Sequence, residues 1–173
     1  MSTGTAMSGN LAAALIGELQ VEAATTRKCL ERIPAEKFDY TPHEKSMKMG
    51  RLAVHIAEMF GWAIETVNKT ELDFATMDYK PFEPQTTGEL VGFFEKILLE
   101  TTEALKATSD EAMMENWTLR NGDQIYFTMP RIQVLRGMVF NHIVHHRGQL
   151  SVYMRLNDIP VPALYGPSAD EQM

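Results

Sequence analysis

The chain has little cysteine and no long apolar run. Cys29 is the single cysteine among 173 residues, so no internal disulfide can form. No apolar stretch approaches the ~20 residues that a helix needs to cross a bilayer. The N-terminal MSTGTAMSGN lacks the basic start and apolar segment of a secretory signal. We therefore expect a protein of the reducing cytoplasm with no membrane partner.

Concentrated positive charge is also missing. The 16 Lys and Arg residues are scattered along the chain and are outnumbered by 23 Asp and Glu residues, which gives a formal net charge of −7. Sequence-independent binding to nucleic acid depends on clustered Lys and Arg. The charge pattern therefore argues against a nucleic-acid partner.

What is present is enough apolar sequence for one domain. The 173 residues are 45% hydrophobic and 23% charged, which is ordinary for a globular protein with a single core. We place a flexible N-terminus at residues 1–9, one domain at 10–167 and a C-terminal tail at 168–173.

Four stretches show the apolar periodicity of helices, and they cover residues 10–32, 47–68, 86–108 and 130–157. Ser46 is the predicted N-cap of the second helix. Thr86 and Glu89 have the spacing of a capping box at the start of the third.

The sequence between these helices predicts a hairpin and two irregular segments. In WTLRNGDQIYF, residues 117–127, Asn121 and Gly122 suit a tight turn between β-prone residues. Residues 72–85 have no clear period and read as a long connection. DIPVPALYGPS, after Asn157, reads as an extended surface segment. The predicted fold is an all-α helical bundle of four helices with a small β-hairpin before the last helix.

The segment FNHIVHHRGQL, residues 140–150, holds three of the five histidines. On a helical wheel, His142 and His146 fall within the apolar stripe, His145 lies at its edge, and Arg147 points away. At i and i+4 the Cβ atoms of the pair are ~5–6 Å apart, so both imidazoles can bind one ion. The alternative is two core histidines, each with a hydrogen-bond partner, because burial without one costs ~1–3 kcal/mol.

A third ligand would come from the second helix. His55 lies on its mainly apolar face, where a single histidine would ordinarily be structural, but beside a waiting pair it becomes the natural third ligand. Glu58, at i+3, could accept a hydrogen bond from a ligand imidazole, act as a catalytic base, or be a solvated carboxylate. His43 lies in the turn-like TPHEKS segment and is read as a surface residue.

Further polar residues fall on the same faces. Gln149 and Tyr153 follow the histidine pair and could contact a cofactor or substrate, or be core polar groups with hydrogen-bond partners. Glu22 and Thr26 lie on the apolar stripe of the first helix and could line the cavity. HExxH is absent, and so is a Glu-x-x-His motif on two helices, which argues against a zincin-type protease and a di-iron bundle.

His55 in LAVHIAE, the segment NHIVHHRGQL and the following YMRLNDIPVPALYGPS resemble the DinB/YfiT-like superfamily of small helical metalloproteins. The resemblance covers residues 10–167. It implies a four-helix bundle with a long crossover, and a metal held by His55, His142 and His146, with His145 outside the ligand set. It also implies a homodimer and no DNA-binding activity.

Three neutral imidazoles would leave a bound ion its full charge and an open position. Such a site can lower the pKa of bound water toward ~7 or deprotonate a coordinated thiol. The resemblance favours a transferase that uses a low-molecular-weight thiol, such as bacillithiol or mycothiol, on a small-molecule substrate. A metal-dependent hydrolase and a non-catalytic protein that binds a metal or small molecule are the alternatives. Zinc or nickel is the expected metal.

Overall fold

The computed structural model describes residues 10–172. The helices are α1 (Leu11–Glu31), α2 (Met49–Asn68), α3 (Thr87–Lys106), α4 (Asp110–Met114), α5 (Arg131–Val134) and α6 (Asn141–Leu156). The strands are β1 (Glu71–Asp73), β2 (Asn116–Asn121) and β3 (Gln124–Pro130). A 3₁₀ turn spans Ala35–Lys37, and a π-helical segment, Leu135–Phe140, joins α5 to α6.

The predicted helices are present, with ends within two residues of the predicted ones. The predicted hairpin is confirmed, because β2 and β3 pair antiparallel around Gly122, whose φ is +58°. The third strand was not predicted. β1 pairs parallel with β2, with Leu72 opposite Leu119, and gives the strand order β1-β2-β3. The fold is therefore mostly helical with a small three-stranded sheet, where an all-α fold with a hairpin was expected.

The predicted N-cap is present at the start of α3 but not at the start of α2. The Thr86 hydroxyl accepts a hydrogen bond from the Glu89 N–H at 3.1 Å, as predicted. The Glu89 carboxylate reaches the N–H of Gln85 at 2.7 Å, one residue before the position that a capping box requires. The prediction that Ser46 caps α2 is wrong, because α2 begins at Met49. Ser46 lies in a turn, where its own N–H donates to the His43 carbonyl.

The core lies between four helices: α3 packs against α1 and α2, and α6 packs against α2 and α1. Its fully buried large side chains include Leu19, Leu30, Ile56, Phe60, Phe94, Phe140 and Leu150. A second cluster beneath the sheet contains Leu72, Trp117, Leu119 and Val134. The half-buried Trp62 of α2 contacts both clusters, so the sheet is fixed against the same helix that carries His55.

The π-helical segment changes which face of the last helix is buried. A π turn holds an extra residue, which shifts the register of everything after it. The buried positions of α6 are Ile143, His146, Arg147, Leu150 and Met154. His142 and His146 consequently lie along one edge of the buried stripe rather than at its centre. The prediction that Arg147 points away is wrong, since this residue is 1% exposed.

The segment after α6 is anchored by both apolar and charged contacts. Ile159 and Val161 are buried, which the prediction of a purely surface course missed. Glu171 binds Lys28 of α1 and Arg32, which caps that helix, and Asp170 binds Arg155 of α6. The predicted flexible N-terminus, residues 1–9, lies outside the described residues. Among residues 10–172, no helix is both long enough and apolar enough to cross a membrane.

Candidate metal centre

His55 of α2 meets His142 and His146 of α6. Each residue offers one ring nitrogen, and these three atoms lie within 4.8 Å of one another. The ring centroids are 5.4 Å apart for His55 and His142 and 4.6 Å apart for the other two pairs. Metal–nitrogen bonds of about 2.0–2.1 Å place tetrahedral ligand atoms roughly 3.4 Å apart. Small side-chain rotations would therefore let this group, the His trio, hold a metal ion.

The environment of His142 and His146 disfavours protonation of their imidazoles. Burial lowers the pKa of His146 to about 4, and the neighbouring histidines add to the effect although a hydrogen bond with Gln149 opposes it. Burial and the charge of His55 also lower the pKa of His142, against a hydrogen bond with the Met138 backbone. Neutral imidazoles carry the lone pairs that metal ions need. His142 and His146 are thus better suited to bind a metal ion than a proton.

The Gln149 side chain joins two histidines. Its Oε1 lies 2.7 Å from Nδ1 of His146, and its Nε2 lies 3.1 Å from Nε2 of His145. Because an amide oxygen only accepts, Nδ1 of His146 carries the proton and Nε2 keeps its lone pair. Gln149 therefore has a hydrogen-bond partner within the His trio, and its predicted contact with a cofactor or substrate stays a prediction. His145 is exposed and lies outside the trio, as expected.

Tyr153 lies further along the same edge of α6. Its ring packs edge-on against Tyr40 with centroids 6.1 Å apart, and it is half-buried against the core. Its predicted contact with a cofactor or substrate stays a prediction. His43 is exposed, as predicted, and its Nδ1 accepts a hydrogen bond from the Lys45 N–H.

Glu58 lies beside the His trio but is not a solvated carboxylate, because its side chain is only 13% exposed. Its Oε2 is 3.8 Å from Nδ1 of His55, too long for a direct hydrogen bond. The Tyr79 hydroxyl donates to both carboxylate oxygens at 2.8 and 2.9 Å, and Arg51 donates to Oε2 at 2.9 Å. Burial raises the pKa of Glu58, but His55, Tyr79 and Arg51 outweigh it and hold that pKa below its ordinary value.

Sequence reasoning missed Arg51 and Tyr79. Arg51 Nη2 also donates to the Tyr79 hydroxyl at 2.6 Å, so the Arg51–Glu58–Tyr79 cluster is closed on itself. Burial and the Glu58 carboxylate raise the pKa of Tyr79 to about 12. Tyr79 belongs to a connection with no periodic pattern, and no local signal could have placed it beside α2.

Glu22 and Thr26 are buried as expected but do not line the His trio. Their side chains receive hydrogen bonds from Arg147, at 2.5 Å to Glu22 Oε2 and 3.1 Å to Thr26 Oγ1. The Tyr165 hydroxyl completes this second cluster, 2.6 Å from Arg147 Nη2 and 2.8 Å from Glu22 Oε2. The cluster connects α1, α6 and the C-terminal segment, and its contacts are structural.

Comparisons with known proteins agree with this architecture. The profile of the DinB family matches residues 1–172. The uncharacterized protein YrdA of Bacillus subtilis (strain 168) is 27% identical over 152 residues, which cover 88% of this chain and 86% of that protein.

Two solved structures share the fold. A DinB-like protein from Bacillus cereus ATCC 10987 superposes with a TM-score of 0.69 at 23% identity, covering 88% of this chain and 97% of that one. The DinB-like protein YjoA from Bacillus subtilis gives a TM-score of 0.66 at 20% identity, with coverage of 84% and 92%.

Proposed function

The chain belongs to the DinB family, and from that premise we propose that it is a metal-dependent enzyme acting on a low-molecular-weight thiol. His55, His142 and His146 would hold a divalent ion, with zinc or nickel expected because imidazole suits both. A bound ion would lower the pKa of a coordinated thiol. In the proposed reaction the thiol loses its proton to solvent, and its sulfur forms a bond to an electrophilic carbon of a small molecule as a leaving group such as chloride departs.

The observation that carries this proposal is the composition of the His trio. Its three members are all imidazoles, with pKa values of His142 and His146 held below the ordinary value. Neutral ligands leave the charge of an ion uncompensated, which is what activation of a thiol requires. A trio that contained a carboxylate would offset part of that charge.

Two further observations favour an external thiol. Cys29 is fully buried, and burial raises the pKa of its thiol to about 11, so the protein offers no thiolate of its own. Glu58 is the nearby carboxylate, but its low pKa and its bonds to Arg51 and Tyr79 make it a poor base toward water. An external thiol activated by the ion needs neither the Cys29 thiolate nor a basic Glu58 carboxylate. Glu58 would then hold the region around His55 in place.

Metal analysis tests the ligand set. Protein purified without metal-affinity chromatography should contain close to one zinc or nickel ion per chain. The His142→Ala variant should lose the ion, whereas the matched control His43→Ala, which removes an exposed histidine, should retain it. Equal metal content in all three proteins would overturn the assignment.

Activity assays test the reaction. Metal-loaded protein should transfer bacillithiol or mycothiol to 1-chloro-2,4-dinitrobenzene, and His142→Ala should abolish the transfer. Cleavage of 4-nitrophenyl acetate without any thiol transfer would instead establish a hydrolase. A metal-loaded protein inactive in both assays would be a binding protein. Sedimentation would test the proposed homodimer in the same preparations.

A further inference from the structure

A cavity of about 310 Å³ opens beside His55, between α2 and the connection that follows β1. One wall is a stripe of α2 at spacings of four and three residues, formed by His55, Met59 and Trp62. The opposite wall comes from the connection and is formed by Phe74, Met77 and Tyr79. We call this cavity the α2 pocket. Of the three histidines in the His trio, His55 lines this pocket.

The loop wall of the α2 pocket is fixed by the sheet. The Asp73 carboxylate accepts hydrogen bonds from the Gly122 N–H at 2.8 Å and the Ala75 N–H at 2.9 Å. Phe74 lies between the rings of Trp62 and Tyr126, with each centroid distance 6.2 Å. The pocket is therefore formed before any ligand binds, which lowers the entropic cost of binding.

The polar groups at the edge of the pocket are already satisfied. Arg51 is paired with Glu58 and donates to Tyr79, whose own proton is shared by the two Glu58 oxygens. In the metal-free protein, a charged ligand would find no free counter-charge among Arg51, Glu58 and Tyr79 and would have to break this cluster. The chemistry of this edge thus selects a neutral molecule.

The remaining surface is aromatic and thioether. Trp62, Phe74, Met59 and Met77 line it, and both aromatic rings and thioether sulfur make favourable contacts with an aromatic ligand. A cavity of ~150 Å³ holds one benzene molecule, so the α2 pocket has room for about two fused rings. Phe74 and Met77 are 40% and 37% exposed, and a ligand would cover them.

We propose that the α2 pocket binds a neutral aromatic molecule of one or two rings, with its reacting end directed to the His trio. The claim that one end of this molecule reacts at the His trio rests on the proposed function. The claim that its ring binds in the α2 pocket does not. The electrophile of the transferase would accordingly be an uncharged aromatic compound.

The test is direct binding of 2-naphthol to protein carrying ¹³C-methyl methionine. The methyl signals of Met59 and Met77 should shift in saturable titrations. In metal-free protein, the ring-matched anion 2-naphthoate should bind at least tenfold more weakly, and the saturated decahydro-2-naphthol should bind several-fold more weakly. Equal affinity for 2-naphthol and 2-naphthoate, or no shift at Met77, would overturn the proposal.

Variants locate the ligand. Phe74→Ala and Met77→Ala change exposed loop residues and should each weaken 2-naphthol binding about tenfold, with thermal unfolding verifying that they fold. Ile125→Ala removes another exposed apolar side chain, 60% exposed and outside the pocket, and should leave the affinity unchanged. An equal loss in all three variants would contradict a site in the α2 pocket.

The same titration separates this inference from the proposed function. Metal-free His142→Ala protein should still bind 2-naphthol, because His142 does not line the pocket. Binding there supports the α2 pocket even if no metal site exists. Wild-type protein that holds a metal ion but shows no methionine shift would overturn the pocket alone.

Discussion

The side-chain carbonyl oxygen of Gln149 lies 2.7 Å from Nδ1 of His146, one turn earlier on α6. This contact sets the tautomer of His146, with the proton on Nδ1 and the lone pair on Nε2. The same amide lies 3.1 Å from His145. His145 therefore contacts Gln149 and also His146 itself, with ring centroids 4.9 Å apart, although it lies outside the His trio.

Removal of the Gln149 amide should weaken metal binding. Loss of such a partner lowers metal affinity about 10–100-fold, and we expect this of Gln149→Leu in a competition titration of Zn²⁺ against a chromophoric chelator. Ser151→Ala is the control, because that hydroxyl binds only the Gly148 carbonyl of its own helix. An unchanged Zn²⁺ affinity in Gln149→Leu would show that the contact does not support the site.

The buried Arg147–Glu22 pair should be costly to break on one side. Arg147→Met leaves the Glu22 carboxylate buried without its cation, which costs about 3–5 kcal/mol. Urea unfolding should show this loss, and the double variant Arg147→Met with Glu22→Leu should recover much of it.

An exposed pair provides the comparison for Arg147. Lys106 and Glu103 are each more than half exposed. Lys106→Met should therefore change the free energy of unfolding by no more than about 1 kcal/mol. If the double variant at Arg147 and Glu22 were no more stable than Arg147→Met, the explanation by an unpaired buried charge would be wrong.

Two glycines should respond to alanine with opposite signs. A Cβ at Gly50 would lie 2.8 Å from Cβ and 3.3 Å from Cα of Phe38, so the 3₁₀ segment and α2 would have to separate. Such overpacking costs about 1–3 kcal/mol. At Gly17 on α1, no atom lies within 4 Å of the place that an alanine methyl group would occupy, and Gly17→Ala should stabilise the protein by about 0.4–1 kcal/mol. Thermal unfolding of both variants measures the two changes.

Cys29 should be unreactive in the folded protein. Burial raises the pKa of its thiol from 9.0 to about 11, and the thiolate is the species that reacts. At pH 8 the folded chain should hold on the order of a hundredfold less thiolate than an ordinary cysteine. Alkylation by iodoacetamide should be correspondingly slow and should become fast in guanidinium chloride. Rapid alkylation without denaturant would contradict the burial of this residue.

Metal-free protein should lose stability as the pH falls below 6.5. His146, with a pKa of about 4 when folded and an ordinary value of 6.5, binds protons more readily in the unfolded chain throughout that interval. Because the unfolded state takes up the extra proton, acid favours unfolding. Urea midpoints should fall between pH 7 and pH 5, and they should fall less in His146→Gln. An equal fall in both proteins would assign the effect to other groups.

The local sequence determined the elements from which the site is built. The apolar periodicity located the four long helices, and Asn121 with Gly122 located the hairpin, because both patterns reflect interactions within a few residues. The proximity of His142 and His146 is also a local property, since residues at i and i+4 of a helix share one face. Their use as a pair could therefore be inferred without coordinates.

Other features depended on packing between distant segments. His55 and His142 are 87 residues apart in the sequence. They meet because α2 packs against α6. The Glu58 contacts with Tyr79 likewise require β1 to pair with β2. The burial of Arg147 required the π-helical segment, which shifts the register that a regular wheel assumes. Tertiary structure decided these points because each depends on which segments pack together, and a local pattern carries no information about that choice.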